Sequence, residues 1–293
     1  MVTMNDQGVS FVIPALNEGD SVRLLIDELT QFLEPLPFPW EIILVNDGSD
    51  QPHRLAMEPA GADARIRLIH HDLPRGYGAA VKSGIHEARY PWIAIIDADG
   101  TYPVANFTAL LARRGNADMV IGSRQGKIRR IPWARRPAKW LINRFASYVA
   151  RRRIPDVNSG MRLFRREWAE KYERLLPEGF SLTTTLTIAM IHGRARVEFV
   201  SIDYLKRRGR SKIRPLRDFN NFVLTVLRLS MAFDPLRVVL PLFFASGALT
   251  LGSLARDLVY RNLADTTVFL FLFTMLILMI GLLADLINRK LPW

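Results

Sequence analysis

Asp97-Ala98-Asp99 places two carboxylates at i and i+2 directly after the apolar run Trp92-Ile93-Ala94-Ile95-Ile96. A strand that ends in such a pair carries both on a rigid support at its C-terminal end, the edge at which open α/β sheets bind ligands. Two hard oxygen ligands suit Mg2+ or Mn2+, which take one or two protein carboxylates and complete their shells with substrate phosphates. Three more groups stand in the same relation to strand-like runs. Pro14-Ala15-Leu16-Asn17-Glu18 follows the first run, its proline expected to end the strand and Glu18 to face the sheet's carboxyl edge. Val45-Asn46-Asp47-Gly48-Ser49 follows the second, where Asp47 can accept hydrogen bonds from a nucleoside and Gly48 permits a tight turn. Asp156-Val157-Asn158-Ser159-Gly160-Met161-Arg162 is the fourth. Each alone reads as readily as structure; four on successive strand ends point to one site.

The elements that must position them alternate in type. Strands are expected at 9–14, 41–45, 66–70, 92–97 and 119–122, with helices near 78–88 and 105–113. A further helix, capped by Asp20 or Ser21, carries Val22, Leu25, Ile26, Leu29 and Leu33 on one face. Strands alternating with helices predict an α/β fold, a mostly parallel sheet covered on both faces. No internal repeat or low-complexity segment interrupts it.

Charge and hydropathy divide the chain. The net charge of +12 calls for a polyanionic partner: nucleic acid, anionic lipid or a phosphorylated substrate. Without cysteine, disulfides and thiolate metal sites are excluded. Residues 1–10 lack the pattern of a cleaved signal peptide. Residues 124–153 hold eleven Lys or Arg and no acid, and residues 206–217 hold seven more. Two apolar stretches, 238–255 and 266–284, approach the ~20 residues that cross a bilayer as a helix. Arg228, Arg237, Arg289 and Lys290 flank them, while the loop 256–265 balances Arg256 and Arg261 with Asp257 and Asp265. The positive-inside rule then puts both ends and the preceding domain in the cytoplasm. Phe219, Phe222, Val223, Val226, Leu227 and Met231 alternate with polar residues as in a helix lying in the membrane interface. The expected division is a catalytic domain 1–214, an interfacial helix 215–235 and a transmembrane hairpin 236–293, with spans at about 237–255 and 266–286.

Together with Gly122-Ser123-Arg124, Gly179-Phe180-Ser181 and Arg208-Gly209-Arg210-Ser211-Lys212, these motifs resemble family 2 glycosyltransferases of the GT-A (Rossmann-like) fold. The resemblance is to their dolichol-phosphate mannose synthase branch, which glycosylates polyprenyl phosphates and whose bacterial members carry C-terminal transmembrane helices. It implies that Pro14, Leu16, Glu18, Asp47, Ala98 and Lys212 hold a nucleotide sugar, and that Asp97 and Asp99 bind Mg2+ or Mn2+ at the diphosphate. It places Arg124 near the transferred phosphate, Arg208 with Lys212 on a basic loop closing over the site, and Asp99, Arg124 and Arg208 in the chemistry. Asn46 stands where the family usually has an acid, and Thr101 where a glutamine often helps hold the metal.

Such a leaving group develops negative charge that a divalent cation and arginine offset. The acceptor is read from an absence. An alcohol needs a general base, whereas a phosphate monoester is already anionic. The segment 179–185, where hydroxyl-acceptor relatives place a carboxylate, carries only hydroxyls. Arg135, Arg136, Lys139, Arg144 and Ser159 are candidates for the acceptor phosphate, sharing the work with attraction to anionic headgroups. The expected protein is thus an inverting, metal-dependent hexosyltransferase of the inner membrane, using a GDP- or UDP-linked sugar and a polyprenyl phosphate. Its partners are those substrates and the anionic membrane surface, with no nucleic acid; a homo-oligomer is compatible. The alternatives are transfer to a lipid hydroxyl and, more distantly, a non-catalytic membrane-tethered polyanion binder. Two spans are too few for the channel of a processive synthase.

Overall fold

The computed structural model describes residues 7–57, 63–125, 136–205 and 215–290, apart from the side chains of 20, 55–56, 136–139, 141–142 and 215–221. Two compact units divide at residues 222 and 223. In the first, seven strands form one sheet: β1 Val9–Ala15, β2 Trp40–Asn46, β3 Ile66–His70, β4 Trp92–Ile95, β5 Met119–Ser123, β6 Arg162–Arg165 and β7 Val197–Ser201. Their order is β3-β2-β1-β4-β6-β5-β7, and every pairing is parallel except those made by β6.

Helices cover both faces. α1 Gly19–Leu33 and α4 Phe107–Leu111 pack on one, where Val22, Leu25, Leu29, Phe107 and Leu110 meet Phe11, Ile13, Ile42 and Leu44. On the other lie α3 Tyr77–His86, α6 Arg166–Lys171 and α7 Leu182–His192, whose Val81, Ile85, Ala169, Leu186 and Met190 meet Val12, Ile43, Ile95 and Phe164. Both faces are therefore apolar, as a parallel sheet requires. α2 Gln51–Met57 and α5 Arg136–Val149 complete the first unit's α-helices.

Two features of this topology make the site. The chain winds from β1 outward to β2 and β3, then returns across β1 to β4, so the sheet's switch point lies between β1 and β4, where ligands enter such folds. β6 runs against its neighbours, pairing Arg162 with Ile95 of β4 and Ile121 of β5. Its first residue therefore lies at the C-terminal edge of β4, and the loop leading into it arrives beside Asp97. The sequence patterning had not identified β6, α6, α7 or β7. Pro14 does not end β1, which continues to Ala15; the β4 pairing has stopped at Val12, so the missing N–H leaves no gap in that ladder. α1 starts at Gly19, with Glu18 as its N-cap and no side-chain cap.

α8 Pro215–Phe233 spans the division between the units. α9 Pro235–Tyr260 and α10 Asp265–Lys290 are each long and apolar enough to cross a membrane, by length and composition. They run past the expected spans, leaving only residues 261–264 between them. Asp257 explains how a charged turn stays helical: it accepts from Arg256 at 2.9 Å, from Ala264 N at 2.9 Å and from Thr267 Oγ1 at 2.5 Å. A seam of hydroxyls follows, with Ser246 Oγ 2.6 Å from Thr274 Oγ1 and Ser253 Oγ 2.6 Å from Thr267 Oγ1. Polar pairs of this kind join helices where lipid offers no hydrophobic drive.

Candidate active site

The chain leaves β4 through Asp97 and Ala98 and turns at Gly100, whose φ of 68° is open to glycine. Asp99 is buried, and its Oδ1 accepts from Thr101 N at 3.1 Å and from Thr101 Oγ1 at 2.5 Å. Thr101, expected among the metal ligands, donates its buried hydroxyl to Asp99 and orients that carboxylate. Asp97 is half-buried and lies on the backbone of Gly160, where an added Cβ would sit 2.1 Å from Oδ2. Gly160 is thus the residue that lets the fourth motif close against the carboxylate pair.

Around them is a buried polar cluster. Tyr102 Oη accepts from Gly160 N at 2.8 Å. Ser159, expected at the acceptor phosphate, is fully buried, with its Oγ 3.5 Å from Tyr102 Oη. Burial, with the neighbouring Asp97 carboxylate, pushes the Tyr77 hydroxyl well above the usual tyrosine range, and burial likewise raises that of Tyr102. Both stay neutral donors at physiological pH. Arg162 has 0% exposure; it donates from Nη1 to Thr183 O at 2.8 Å and Thr187 Oγ1 at 3.1 Å, and from Nη2 to Ser159 O at 2.5 Å. Burial pulls its pKa down to about 10, opposed by Tyr77, Tyr102, Asp97 and Asp156, so it remains charged at neutral pH.

Arg124 is engaged rather than free. Its Nε and Nη2 each donate to the buried Asp156 carboxylate at 2.7 Å, and the guanidinium lies 5.3 Å from the Tyr204 ring. Burial works against its charge, but the facing Tyr102 and Asp156 outweigh it and hold the pKa above the usual arginine range. Among the described residues, the Asp156 carboxylate takes two of the five side-chain N–H donors of Arg124.

On the β1–β2 side the first two motifs are tied together. Asn17 N donates to Ser49 Oγ at 2.9 Å, Asp50 N to Asn17 Oδ1 at 3.0 Å, and Ser49 N to Asn46 Oδ1 at 2.9 Å. Asp47 is buried and already accepts from His71 Nδ1 at 2.8 Å, Arg75 N at 2.9 Å and Gly76 N at 2.8 Å. That leaves one acceptor position for a nucleoside and makes Asp47 first of all the anchor of loop 71–76. Asn46, lacking a charge, pairs its amide with His70 Nδ1 at 3.0 Å. Pro14 and Ala98 are buried, while Leu16 and Glu18 are half-buried at the same edge.

The basic candidates are less gathered. Arg144 is exposed on α5, in a stripe with exposed Trp140 and Tyr148. Arg135, Arg208 and Lys212 lie outside the described residues, as do the side chains of Arg136 and Lys139. The structure therefore assembles Asp97, Asp99, Arg124 and Asp156 with three residues that sequence reasoning gave no role: Tyr77, Tyr102 and Arg162. Tyr77 had a signal, standing between Gly76 and Gly78. Those glycines let the chain pass under Pro177 and Glu178, whose carbonyl oxygens an added Cβ would meet at 2.6 Å from Gly76 and 2.2 Å from Gly78. Phe180, 56% exposed, stacks on Tyr77 at 5.7 Å.

Among the described residues no three His, Cys, Asp or Glu side chains gather as a closed metal site. Two carboxylates at a strand end, one of them oriented by Thr101, fit a hard cation that takes the rest of its shell from phosphate and water. They do not fit a zinc-type cage.

Comparison with known proteins identifies the family. The glycosyl transferase family 2 profile matches residues 10–173, and the GtrB C-terminal hairpin profile matches residues 234–289. The chain belongs to glycosyl transferase family 2. It is 30% identical over 207 residues to the polyprenol monophosphomannose synthase of Mycolicibacterium smegmatis, covering 67% of this chain and 77% of that one. It is 33% identical over 128 residues to a dolichyl-phosphate beta-glucosyltransferase of Trichomonas vaginalis, covering 40% of this chain and 39% of that protein. The undecaprenyl-phosphate 4-deoxy-4-formamido-L-arabinose transferase of Proteus mirabilis is 29% identical over 54% of this chain and 49% of its own length. The chain thus spans half or less of the length of the last two relatives. In fold it resembles the glucosyl-3-phosphoglycerate synthase of Mycobacterium tuberculosis, solved with Mn2+, UDP and glucosyl-3-phosphoglycerate, at a TM-score of 0.58 and 18% identity over 78% of this chain and 84% of that one.

Proposed function

We propose that this protein transfers a hexose from a nucleotide sugar to a polyprenyl phosphate, with inversion at the anomeric carbon, at the cytoplasmic face of the inner membrane. An oxygen of the acceptor phosphate attacks the anomeric carbon. The bond from that carbon to the donor diphosphate breaks, and nucleoside diphosphate leaves with the electron pair. Asp97 and Asp99 hold Mg2+ or Mn2+, which when bound offsets charge developing on the leaving diphosphate. Arg124, fixed by Asp156, directs its remaining N–H groups at the same charge, and Thr101 keeps Asp99 in the orientation this requires. Pro14, Leu16, Glu18 and Ala98 frame the nucleoside, with Asp47 holding loop 71–76 beside it. The resemblance assigns Arg208 and Lys212 to the donor site and leaves Arg135, Arg136, Lys139 and Arg144 as the candidates for the acceptor phosphate and the anionic headgroups. The relatives' names supply the acceptor class, and the Mn2+ complex of the structural neighbour supports the cation.

One observation carries the choice of acceptor. The start of α7, where Arg162 donates to Thr183 O and Thr187 Oγ1, has buried hydroxyls at Thr183, Thr184, Thr185 and Thr187 and no carboxylate. A phosphate needs no base there. The nearby acid, exposed Glu178, lines an open cleft of about 430 Å³ with His71, Arg75, Lys82 and Ser83. It is the one feature favouring transfer to a lipid hydroxyl, with Glu178 as the base. Both readings are tested by incubating the full chain in neutral detergent with GDP- and UDP-linked hexoses and Mn2+. Undecaprenyl phosphate is supplied in one series and diacylglycerol in the other. Nucleoside diphosphate release with the phosphate supports the proposal; release with diacylglycerol alone overturns it.

A further inference from the structure

Among the described residues Arg162 is the largest side chain buried without exposure, and the mechanism above does not use it. Hydrophobic packing alone gives no reason for a guanidinium in that place, since an apolar side chain of like volume avoids the cost of burying charge. Its surroundings supply one. One nitrogen holds the main chain and a hydroxyl of α7, at Thr183 O and Thr187 Oγ1, and the other holds Ser159 O in the loop before β6. The next residue, Gly160, is the surface on which Asp97 rests. The same loop is tied to α7 a second time, by Thr184 Oγ1 donating to Asn158 Oδ1 at 2.5 Å. The positive charge also acts on Asp97 and Asp156 from beneath.

We propose that Arg162 is a positioning residue that fixes Asp97 for the cation by clamping the Ser159–Gly160 backbone to the start of α7. Donor-side and acceptor-side segments are thereby held by one rigid fork. Lysine cannot reproduce this, because its single nitrogen cannot reach Ser159 O and Thr183 O with fixed geometry. The inference rests on the metal-dependent donor site proposed above, and its test separates the two.

The test measures binding rather than turnover. UDP and GDP are titrated into the full chain in neutral detergent by calorimetry, in EDTA and then in Mn2+, for wild type, Arg162→Lys, Thr187→Val and Leu186→Ala. Wild type is expected to gain at least about tenfold in affinity for one nucleotide when Mn2+ is added. Arg162→Lys is expected to keep its affinity in EDTA within twofold and to lose most of the Mn2+ gain. Thr187→Val, which removes one contact of the fork, is expected to lose part of it, about two- to fivefold. This variant carries the test if Arg162→Lys does not fold. Leu186→Ala opens a cavity in the same helix and is expected to lower the melting temperature while keeping the gain. A folded Arg162→Lys or Thr187→Val protein with the full Mn2+ gain overturns the proposal, and so does loss of the gain in Leu186→Ala. Absence of any gain in wild type with either nucleotide overturns the metal-dependent donor site itself, and this inference with it.

Discussion

Asp99→Asn is the most direct probe of the site, because the structure dictates how the new amide must sit. Thr101 aims two donors, its N–H and its hydroxyl, at Asp99 Oδ1. An asparagine there keeps those bonds only by turning its carbonyl oxygen towards Thr101. Its NH2 group then faces the side from which a cation is to be bound, replacing a charged acceptor with a donor. The alternative rotamer sets NH2 against two donors in a buried place, which is worse. Removing one such preorganised electrostatic contact costs about 2.7–4 kcal/mol in the transition state. At about 1.36 kcal/mol per tenfold, turnover should fall by about a hundred- to a thousandfold. The assay is nucleoside diphosphate release at saturating Mn2+, with melting temperature as a control for folding. The substitution is nearly isosteric, so melting should move little. Turnover within threefold of wild type at saturating metal would refute the reasoning and remove Asp99 from the metal site.

Gly160→Ala should reduce turnover at least tenfold, because its Cβ would meet Asp97 Oδ2 at 2.1 Å, while Gly179→Ala, with nothing near its Cβ, should stay within twofold; equal effects would dismiss the packing argument. Asp47→Ala should lower stability by about 2 kcal/mol or more, since it strands His71 and two backbone N–H groups, and thermal melting checks this. Glu178→Gln should keep turnover within threefold, and a hundredfold loss would restore the hydroxyl-acceptor reading. Single cysteines at Asn262, between α9 and α10, and at Asn288, near the end of α10, should label from opposite sides of sealed vesicles; labelling from one side would refute the two-span topology.

What the sequence disclosed followed from periodicity and strand ends. β1 to β5 and α1 lie within a few residues of their expected places, because each strand is an apolar run closed by Pro, Asn or Asp. β6, α6 and α7 were invisible for physical reasons. Arg162-Leu163-Phe164-Arg165 begins and ends in charge, and its strand exists because β4 and β5 offer edges on both sides. α7 is buried on every side from Leu182 to Met190, so it has no polar stripe by which a helix is recognised. The carboxylate pair was legible because its two members stand together in the chain. The cluster around it was legible only in part: Asp156 and Arg162 stand in the fourth motif, but Tyr77 and Tyr102 come from other segments and join them only when β6 enters antiparallel. Motif position shows which loop a residue is on but not its partners there: Thr101 Oγ1 donates to Asp99, and Ser159 Oγ lies by Tyr102.

The distribution of charge also accounts for how a strongly basic chain can build its donor site from acids. Asp97 and Asp156 act on the buried Arg162, and Asp156 also on Arg124, so the acids at this strand end are partnered by guanidiniums. On the proposed reading, Asp97 and Asp99 would meet the donor's diphosphate through a divalent cation. The rigidity of the fork under Asp97 matters because a coordination shell shared between protein and substrate tolerates little movement of either carboxylate. The segments 124–153 and 206–217 each hold lysines and arginines without an acid, and on the proposed reading they serve a different polyanion. A phosphate at the end of a lipid comes from the membrane rather than from solution, and a basic surface concentrates it there before the carboxylates are reached. On the proposed reading the carboxylates serve the donor's diphosphate and the basic segments the lipid's phosphate, which is why one chain carries both kinds of cluster.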